Sequence, residues 1–158
     1  MVEFDRPVRP VPAPLPSLLS GENADVYFLR TESVLRADGR DPIVSIEAFC
    51  RRDGATLCGI DEAKGLLAVA LEAAGESDRA EIWALKDGDR IDAKEVVLRI
   101  RAPYRAVARL ETAYLGAMAH GTGWATAARR VVDAAGPVPV IAFGARHVHP
   151  NVADRLDY

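Results

Sequence analysis

Hydrophobic and polar positions in the first half of the chain follow the periods of helices and strands in turn. Apolar residues recur at helical spacing over 23–37, and the period shortens to two over 43–50, which predicts a helix followed by a strand. A turn at 52–54 leads to a second short strand at 55–58. The next predicted helix runs from 61 to about 75, and its first turn carries two acids, as the helix dipole favours.

The second half of the pattern predicts two more strands, two alanine-rich helices and a short run that is apolar on every side. The glycines at 121 and 123 are expected to separate the two helices, and the apolar run is typical of a strand buried on both faces of a parallel sheet. The predicted elements are strands 80–85 and 95–100, helices 105–119 and 123–135, strand 138–143, loop 144–150 and helix 151–158.

The N-terminal segment has a different composition. Half of the ten prolines fall within the first 16 residues, which predicts an extended, polyproline-like arm over 1–20. The 158 residues, 49% of them hydrophobic, suit one globular domain and are too few for a complete (β/α)₈ barrel, which needs at least about 200.

Charge and cysteine content narrow the class of partner. The net charge is -3 and no basic run exceeds two residues, so we expect no nucleic-acid partner. The chain has no apolar run of the ~18 residues that a membrane helix needs and no signal-peptide pattern, so we expect no membrane partner and a cytoplasmic location. Cys50 and Cys58 lack a metal or redox spacing and are expected to be reduced thiols.

The loop after 138–143 is the strongest candidate for chemistry. Arg146 offers a planar guanidinium suited to a carboxylate or phosphate. His147 and His149 have a spacing that puts both rings on one side of an extended segment, as metal ligands require, but no third ligand is evident nearby. Anion binding and a purely structural loop both remain open, and no catalytic acid or base is assigned.

Five groups of residues, in order along the chain, resemble the N-terminal half of nicotinate phosphoribosyltransferase. They are 23–28, 49–54 with 57–63, 97–104, 111–116 with 123–127, and 143–150. The resemblance implies an α+β fold, in which the sandwich-like N-terminal α/β domain of type II phosphoribosyltransferases (21–136) leads into the first strand and loop of an incomplete α/β barrel (137–158). We therefore expect exposed apolar surface near 138–158.

The resemblance also implies an activity in NAD biosynthesis. Such an enzyme joins nicotinate to phosphoribosyl pyrophosphate, giving nicotinate mononucleotide and pyrophosphate, with ATP and Mg as further requirements. It implies a homodimer in which one N-terminal domain covers the other subunit's barrel site. The parts that bind phosphoribose and ATP are expected outside these residues, so we expect no turnover from this chain alone.

Site residues follow from the same resemblance. Tyr27 matches the tyrosine that stacks on the pyridine ring, Phe143 the aromatic on the opposite ring face, and Arg146 the arginine that holds the acid or phosphate group. His147 replaces a lysine of the related quinolinate enzymes and is a further anion-binding candidate. Thr112 stands where those enzymes have an arginine, which favours a mono-acid substrate. Two alternatives are a quinolinate-type fragment and a non-catalytic module that completes a separate barrel chain.

Overall fold

The computed structural model describes residues 16–156, with the side chains of 154 and 156 excepted. Most of the predicted arm (1–15) therefore lies outside the described residues. The prediction of an extended segment is wrong for the last part of that arm, because Pro16–Ser20 forms a short helix, α1. Proline is tolerated in the first helical turn, where its missing N–H has no helical partner to lose. Leu18 and Leu19 then pack against the hydrophobic core.

The described elements alternate between helices and short strands. In chain order they are α2 (Val26–Ala37), β1 (Ile43–Phe49), β2 (Ala55–Thr56), α3 (Ile60–Ala74), β3 (Glu81–Ala84), β4 (Arg90–Ile91), β5 (Val96–Pro103), α4 (Tyr104–Val107), α5 (Glu111–Ala135) and α6 (Pro150–Leu156). Short 3₁₀ turns occupy Ser77–Arg79, Ala108–Leu110 and Gly144–His147. The predicted helices at 23–37 and 61–75 and the strands at 43–50, 80–85 and 95–100 are confirmed to within a few residues.

A three-stranded antiparallel sheet, in the order β1-β5-β3, forms one wall of the domain. Alternate residues of β5 (Leu98, Ile100, Ala102) are buried. Arg99, between them, faces solvent, where it pairs with Glu47 at 2.8 Å. Alternation of this kind is expected when one sheet face covers the core and the other is wet. The apolar side of α3, with Leu66 and Leu67, lies in the same core as β5.

Helix α5 is continuous across Gly121 and Gly123, so the predicted division into two helices is wrong. A Cβ on Gly121 would lie 2.9 Å from the carbonyl oxygen of Cys58, and a Cβ on Gly59 would lie 2.5 Å from that of Ala117. Gly59 also has φ 94°, a conformation that side chains rarely adopt. These glycines therefore allow the turn before α3 to touch the helix backbone-to-backbone, and Gly121 does not end the helix.

Two threonines of α5 complete the free edge of β2. The backbone N–H of Thr56 donates to Oγ1 of Thr126 at 2.9 Å, and that of Cys58 donates to Oγ1 of Thr122 at 3.1 Å. The Thr122 hydroxyl in turn donates to the Cys58 carbonyl at 3.2 Å. On the other edge, β2 pairs with β4, a two-residue strand that the sequence pattern did not predict. Helix hydroxyls thus take the place of a neighbouring strand.

The predicted strand at 138–143 is not formed in the part of the chain described here. Val138 and Ile141 are 65% and 76% exposed, and the segment pairs with no described strand. A strand exists only through hydrogen bonds to a neighbour, whatever its apolar pattern. The expectation of exposed apolar surface in this region is confirmed. The helix expected at 151–158 is present as α6, held to α3 by Arg155 and Glu62 at 2.8 Å.

No helix among residues 16–156 is both long enough and apolar enough to cross a bilayer.

Two glycines of α5 provide a matched test of this packing. Gly121→Ala places a methyl group against the Cys58 carbonyl and is expected to lower the free energy of unfolding by about 1–3 kcal/mol. The methyl group of Gly123→Ala, two residues further along the helix, points into open space. This substitution is expected to raise the free energy of unfolding by about 0.5–1 kcal/mol, since alanine favours the helix. Urea unfolding measures both, and equal effects of the two substitutions would contradict the close contact.

Candidate functional site

Tyr27 lies in the first turn of α2 with its side chain 53% exposed. Its ring leans on Phe28, with centroids 4.3 Å apart and a tilt of 45°. Phe28 is buried and anchors the helix, so the tyrosine has a fixed base and an open face. The structure therefore presents a flat aromatic surface to the outside, as stacking on a planar ligand requires.

A carboxylate ties Tyr27 to the start of α5. The Tyr27 hydroxyl donates to Oδ2 of Asp25 at 3.4 Å, and the Thr112 hydroxyl donates to the same oxygen at 3.3 Å. Partial desolvation, followed by the negative charges of Asp25 and Glu111, raises the pKa of Tyr27. The phenol therefore stays protonated and continues to donate to Asp25 at neutral pH.

The surroundings of Tyr27 are acidic. Desolvation raises the pKa of Glu111, and the nearby charge of Asp25 raises it further. Within residues 16–156, neither Asp25 nor Glu111 forms an ion pair with a lysine or arginine. This side of the site accepts hydrogen bonds and disfavours additional negative charge.

Phe143, Arg146 and His147 form a second group in the segment after α5. The guanidinium carbon of Arg146 lies 5.1 Å from the centre of the Phe143 ring, a cation–π contact. Phe143 is 63% exposed, and both Arg146 and His147 also face solvent. The arrangement places an exposed aromatic face beside a guanidinium group, and anion binding by this loop stays a prediction.

His149 has a local structural role. Its Nδ1 accepts the backbone N–H of Asn151 at 3.2 Å, at the start of α6. Among the described residues, no group of three histidine, cysteine or acidic side chains is arranged to hold a metal ion.

The two groups do not meet within one chain. Tyr27 adjoins the first residues of α5, whereas Phe143 lies beyond its last turn, in a segment that leads to α6 and its ion pair with α3. The structure records no ring contact, hydrogen bond or ion pair between Tyr27 and residues 143–147. Within the described residues, Tyr27 and Phe143 are therefore not in direct contact.

Three polar groups that are buried or half-buried were not predicted from the sequence. Glu32 of α2, 7% exposed, accepts from Arg36 at 2.9 Å and from Arg109 at 2.8 Å, which fastens α2 to the segment before α5. The Glu32–Arg36 spacing of four residues is a readable helix signal, whereas Arg109 is distant in sequence. Asp87 accepts the N–H of Ile60 at 2.8 Å and so caps α3. The Tyr114 hydroxyl is buried, and desolvation raises its pKa.

Comparison with known proteins identifies the family to which the chain belongs. Residues 25–122 match the sequence profile of the quinolinate phosphoribosyl transferase N-terminal domain. This range contains Tyr27 and Thr112 but none of the residues at 143–147. The sequence motifs indicated the nicotinate branch of these enzymes, and the matching profile belongs to the related quinolinate branch instead.

Solved structures agree on the fold. A nicotinate-nucleotide pyrophosphorylase from Pyrococcus furiosus is similar with a TM-score of 0.74 and 31% identity, over 91% of this chain and 36% of that one. NadC from Streptococcus pyogenes is similar with a TM-score of 0.60 and 17% identity, over 83% of this chain and 52% of that one. The expected α+β fold of type II phosphoribosyltransferases is confirmed. The chain spans about a third to a half of these proteins.

The link between Asp25 and Tyr27 can be tested by titration. Asp25→Asn removes a negative charge beside the phenol and is expected to lower the pKa of Tyr27 toward its ordinary value. Carbon-13 NMR of labelled tyrosine side chains measures this pKa directly. Asp38→Asn, at the opposite end of α2, is the control and should leave the pKa unchanged. An unchanged Tyr27 pKa in the Asp25 variant would show that the carboxylate does not act on the ring.

Proposed function

Because this chain belongs to the family of quinolinate phosphoribosyltransferase N-terminal domains, we propose that it serves an enzyme that joins a pyridine carboxylate to a phosphoribosyl group. The match over 25–122 carries this proposal, and the exposed ring of Tyr27 inside that range supports it. In this reaction a bond forms between the pyridine nitrogen and the anomeric carbon of phosphoribosyl pyrophosphate as the C–O bond to pyrophosphate breaks; Mg would supply positive charge for the pyrophosphate that leaves.

The four site residues have complementary chemistry for such a substrate. Tyr27 and Phe143 each supply an aromatic face, and Arg146 supplies a planar cation for a ring carboxylate or a phosphate. His147 adds a second group for anions. The separation of the two groups along α5 supports a site shared between chains, in which Tyr27 of one protomer covers the ring that Phe143 and Arg146 of another hold.

Exposed apolar surface supports the presence of further protein around this domain. Trp124, Val131 and Val132 on the second half of α5 are exposed, as are Val138 and Ile141 beyond it. These apolar side chains are exposed, and this chain spans only about a third to a half of its solved relatives. We propose that a barrel covers this surface, supplied by the same polypeptide or as a separate chain.

Quinolinate is the first candidate substrate. A dicarboxylate that yields nicotinate mononucleotide must lose one carboxyl group as CO₂, so the reaction releases CO₂ and pyrophosphate in equal amounts. Nicotinate is the second candidate, because Asp25 and Glu111 surround Tyr27 without a paired cation and Thr112 is neutral. Nicotinate needs no loss of carbon, and for this branch the coupling to ATP hydrolysis is part of the proposal.

An activity assay tests the function and its substrate. The chain assembled with its barrel is expected to form nicotinate mononucleotide from phosphoribosyl pyrophosphate, with labelled CO₂ released from quinolinate, and the 158-residue chain alone is expected to show no turnover. Nicotinate, with and without ATP, is the parallel substrate. Product from neither pyridine carboxylate would contradict the proposal.

Variants of Tyr27 test its part in the reaction. Tyr27→Ala is expected to lower kcat/KM at least tenfold because one face of the pyridine ring is uncovered, whereas Tyr27→Phe keeps the ring and most of the activity. Val34→Ala, an exposed apolar residue on the same helix, is the control. Full activity of Tyr27→Ala would show that the tyrosine is not part of the substrate site.

A further inference from the structure

Two turns clasp each other at one end of the domain: residues 50–54 between β1 and β2, and residues 90–95, which include β4. The N–H of Lys94 donates to the carbonyl of Cys50 at 2.7 Å. Asp53 accepts the N–H of Ala93 at 2.9 Å, and Asp92 accepts that of Gly54 at 3.0 Å. These reciprocal bonds hold the two segments, called here the paired turns, in one arrangement.

The paired turns carry four cations that make no side-chain hydrogen bond or ion pair with any residue in the range 16–156. They are Arg51, Arg52, Arg90 and Lys94. Arg90 lies over the turn, since its Nη2 would be 3.6 Å from a Cβ on Gly54. On the outer sheet face, by contrast, Arg99 and Arg101 pair with carboxylates of neighbouring strands. The cations at this end are therefore available to an external anion.

Helix α5 brings two further arginines to the same end. Strand β2 runs along α5 in the opposite direction, with Cys58 beside Thr122 and Thr56 beside Thr126. The strand thus points toward the C-terminal part of α5 as it is followed back to the paired turns. Arg129 and Arg130 lie in that part of the helix and have no ion pair with a described residue.

The carboxylates at this end are fewer, and most of them are engaged by the backbone. Six cations at this end are accompanied by four carboxylates, which are Asp53, Asp92, Glu95 and Asp133. Glu95 accepts the N–H of Asp92 at 3.0 Å, as Asp53 and Asp92 accept N–H groups across the clasp. The end of the domain with the paired turns is therefore basic, although the net charge of the whole chain is -3.

Lys94 provides an independent observation. Among the described residues it is the one non-glycine with positive φ, at 66°. Glycine would adopt this conformation without strain, so a lysine here costs folding free energy. Retained strain of this kind points to a use for the side chain, and the side chain here ends in an ammonium group.

We propose that the paired turns bind the di- or triphosphate group of an anionic ligand. Guanidinium groups match phosphate oxygens in a bidentate geometry, and Lys94 adds a compact positive charge. The paired turns expose no large apolar side chain, which the centre of an interface with an acidic protein would require. Inorganic polyphosphate and nucleoside triphosphates share this chemistry, and the test separates them.

Calorimetric titration of the 158-residue chain at low salt, with sodium pyrophosphate, sodium tripolyphosphate and ATP, tests the proposal. Tripolyphosphate is expected to bind more tightly than pyrophosphate because it carries more charge, and physiological salt should weaken both. Arg51→Ala/Arg52→Ala is expected to lower the affinity at least tenfold. Arg30→Ala/Lys86→Ala removes the same charge from two unpaired cations elsewhere and is the control.

Lys94→Gly separates a binding role from a structural one. It is expected to raise Tm by relieving the strain while it lowers the affinity for tripolyphosphate at least threefold. An unchanged affinity in this variant, an equal loss in the control pair, or ATP binding without tripolyphosphate binding would each overturn the proposal. So would binding of a polyglutamate peptide as tightly as tripolyphosphate, which would identify an acidic protein surface as the partner.

Discussion

The close contact between the turn at Cys58–Gly59 and the backbone of α5 is the constraint on which the rest of the domain depends. A Cβ on either Gly59 or Gly121 would lie within 3 Å of a backbone oxygen across this contact. The contact determines where α3 begins, which edge of β2 meets α5, and how closely α3 and α5 enclose the core side chains Leu67 and Met118. Small residues are the only ones that allow backbones this close.

The same contact explains the separation of the candidate site residues. Helix α5 is held against β2 at Thr122 and Thr126; Thr112 and Tyr27 lie at its start, and the segment with Phe143 follows its end. The second half of α5 has few buried side chains and exposes Trp124 and Val131. The domain is thus built to present surfaces at both ends of a long helix, which suits a shared site.

Basic and acidic groups also separate along this axis. Asp25 and Glu111 lie near the start of α5, and the paired turns with Arg129 and Arg130 lie toward its second half. On the outer face of the sheet, by contrast, cations such as Arg99 are paired with carboxylates. Unpaired cations such as Arg30 and Lys86 also lie elsewhere, but the paired turns gather several of them in one place, where attraction of an anion is strongest.

Local signals in the sequence determined most helices and strands, because hydrophobic periodicity and helix-terminal residues act over a few neighbours. The choice of Tyr27, Phe143 and Arg146, and of a phosphoribosyltransferase fold, came instead from the resemblance of five ordered motifs to a known family. Tertiary structure decided what depends on distant partners. The continuity of α5 at Gly121 depends on Cys58, the state of 138–143 depends on a neighbouring strand, and the burial of Glu32 depends on Arg109, 77 residues away. A glycine, an apolar run and a glutamate each fit several local structures, and only the contacts made across the fold select one.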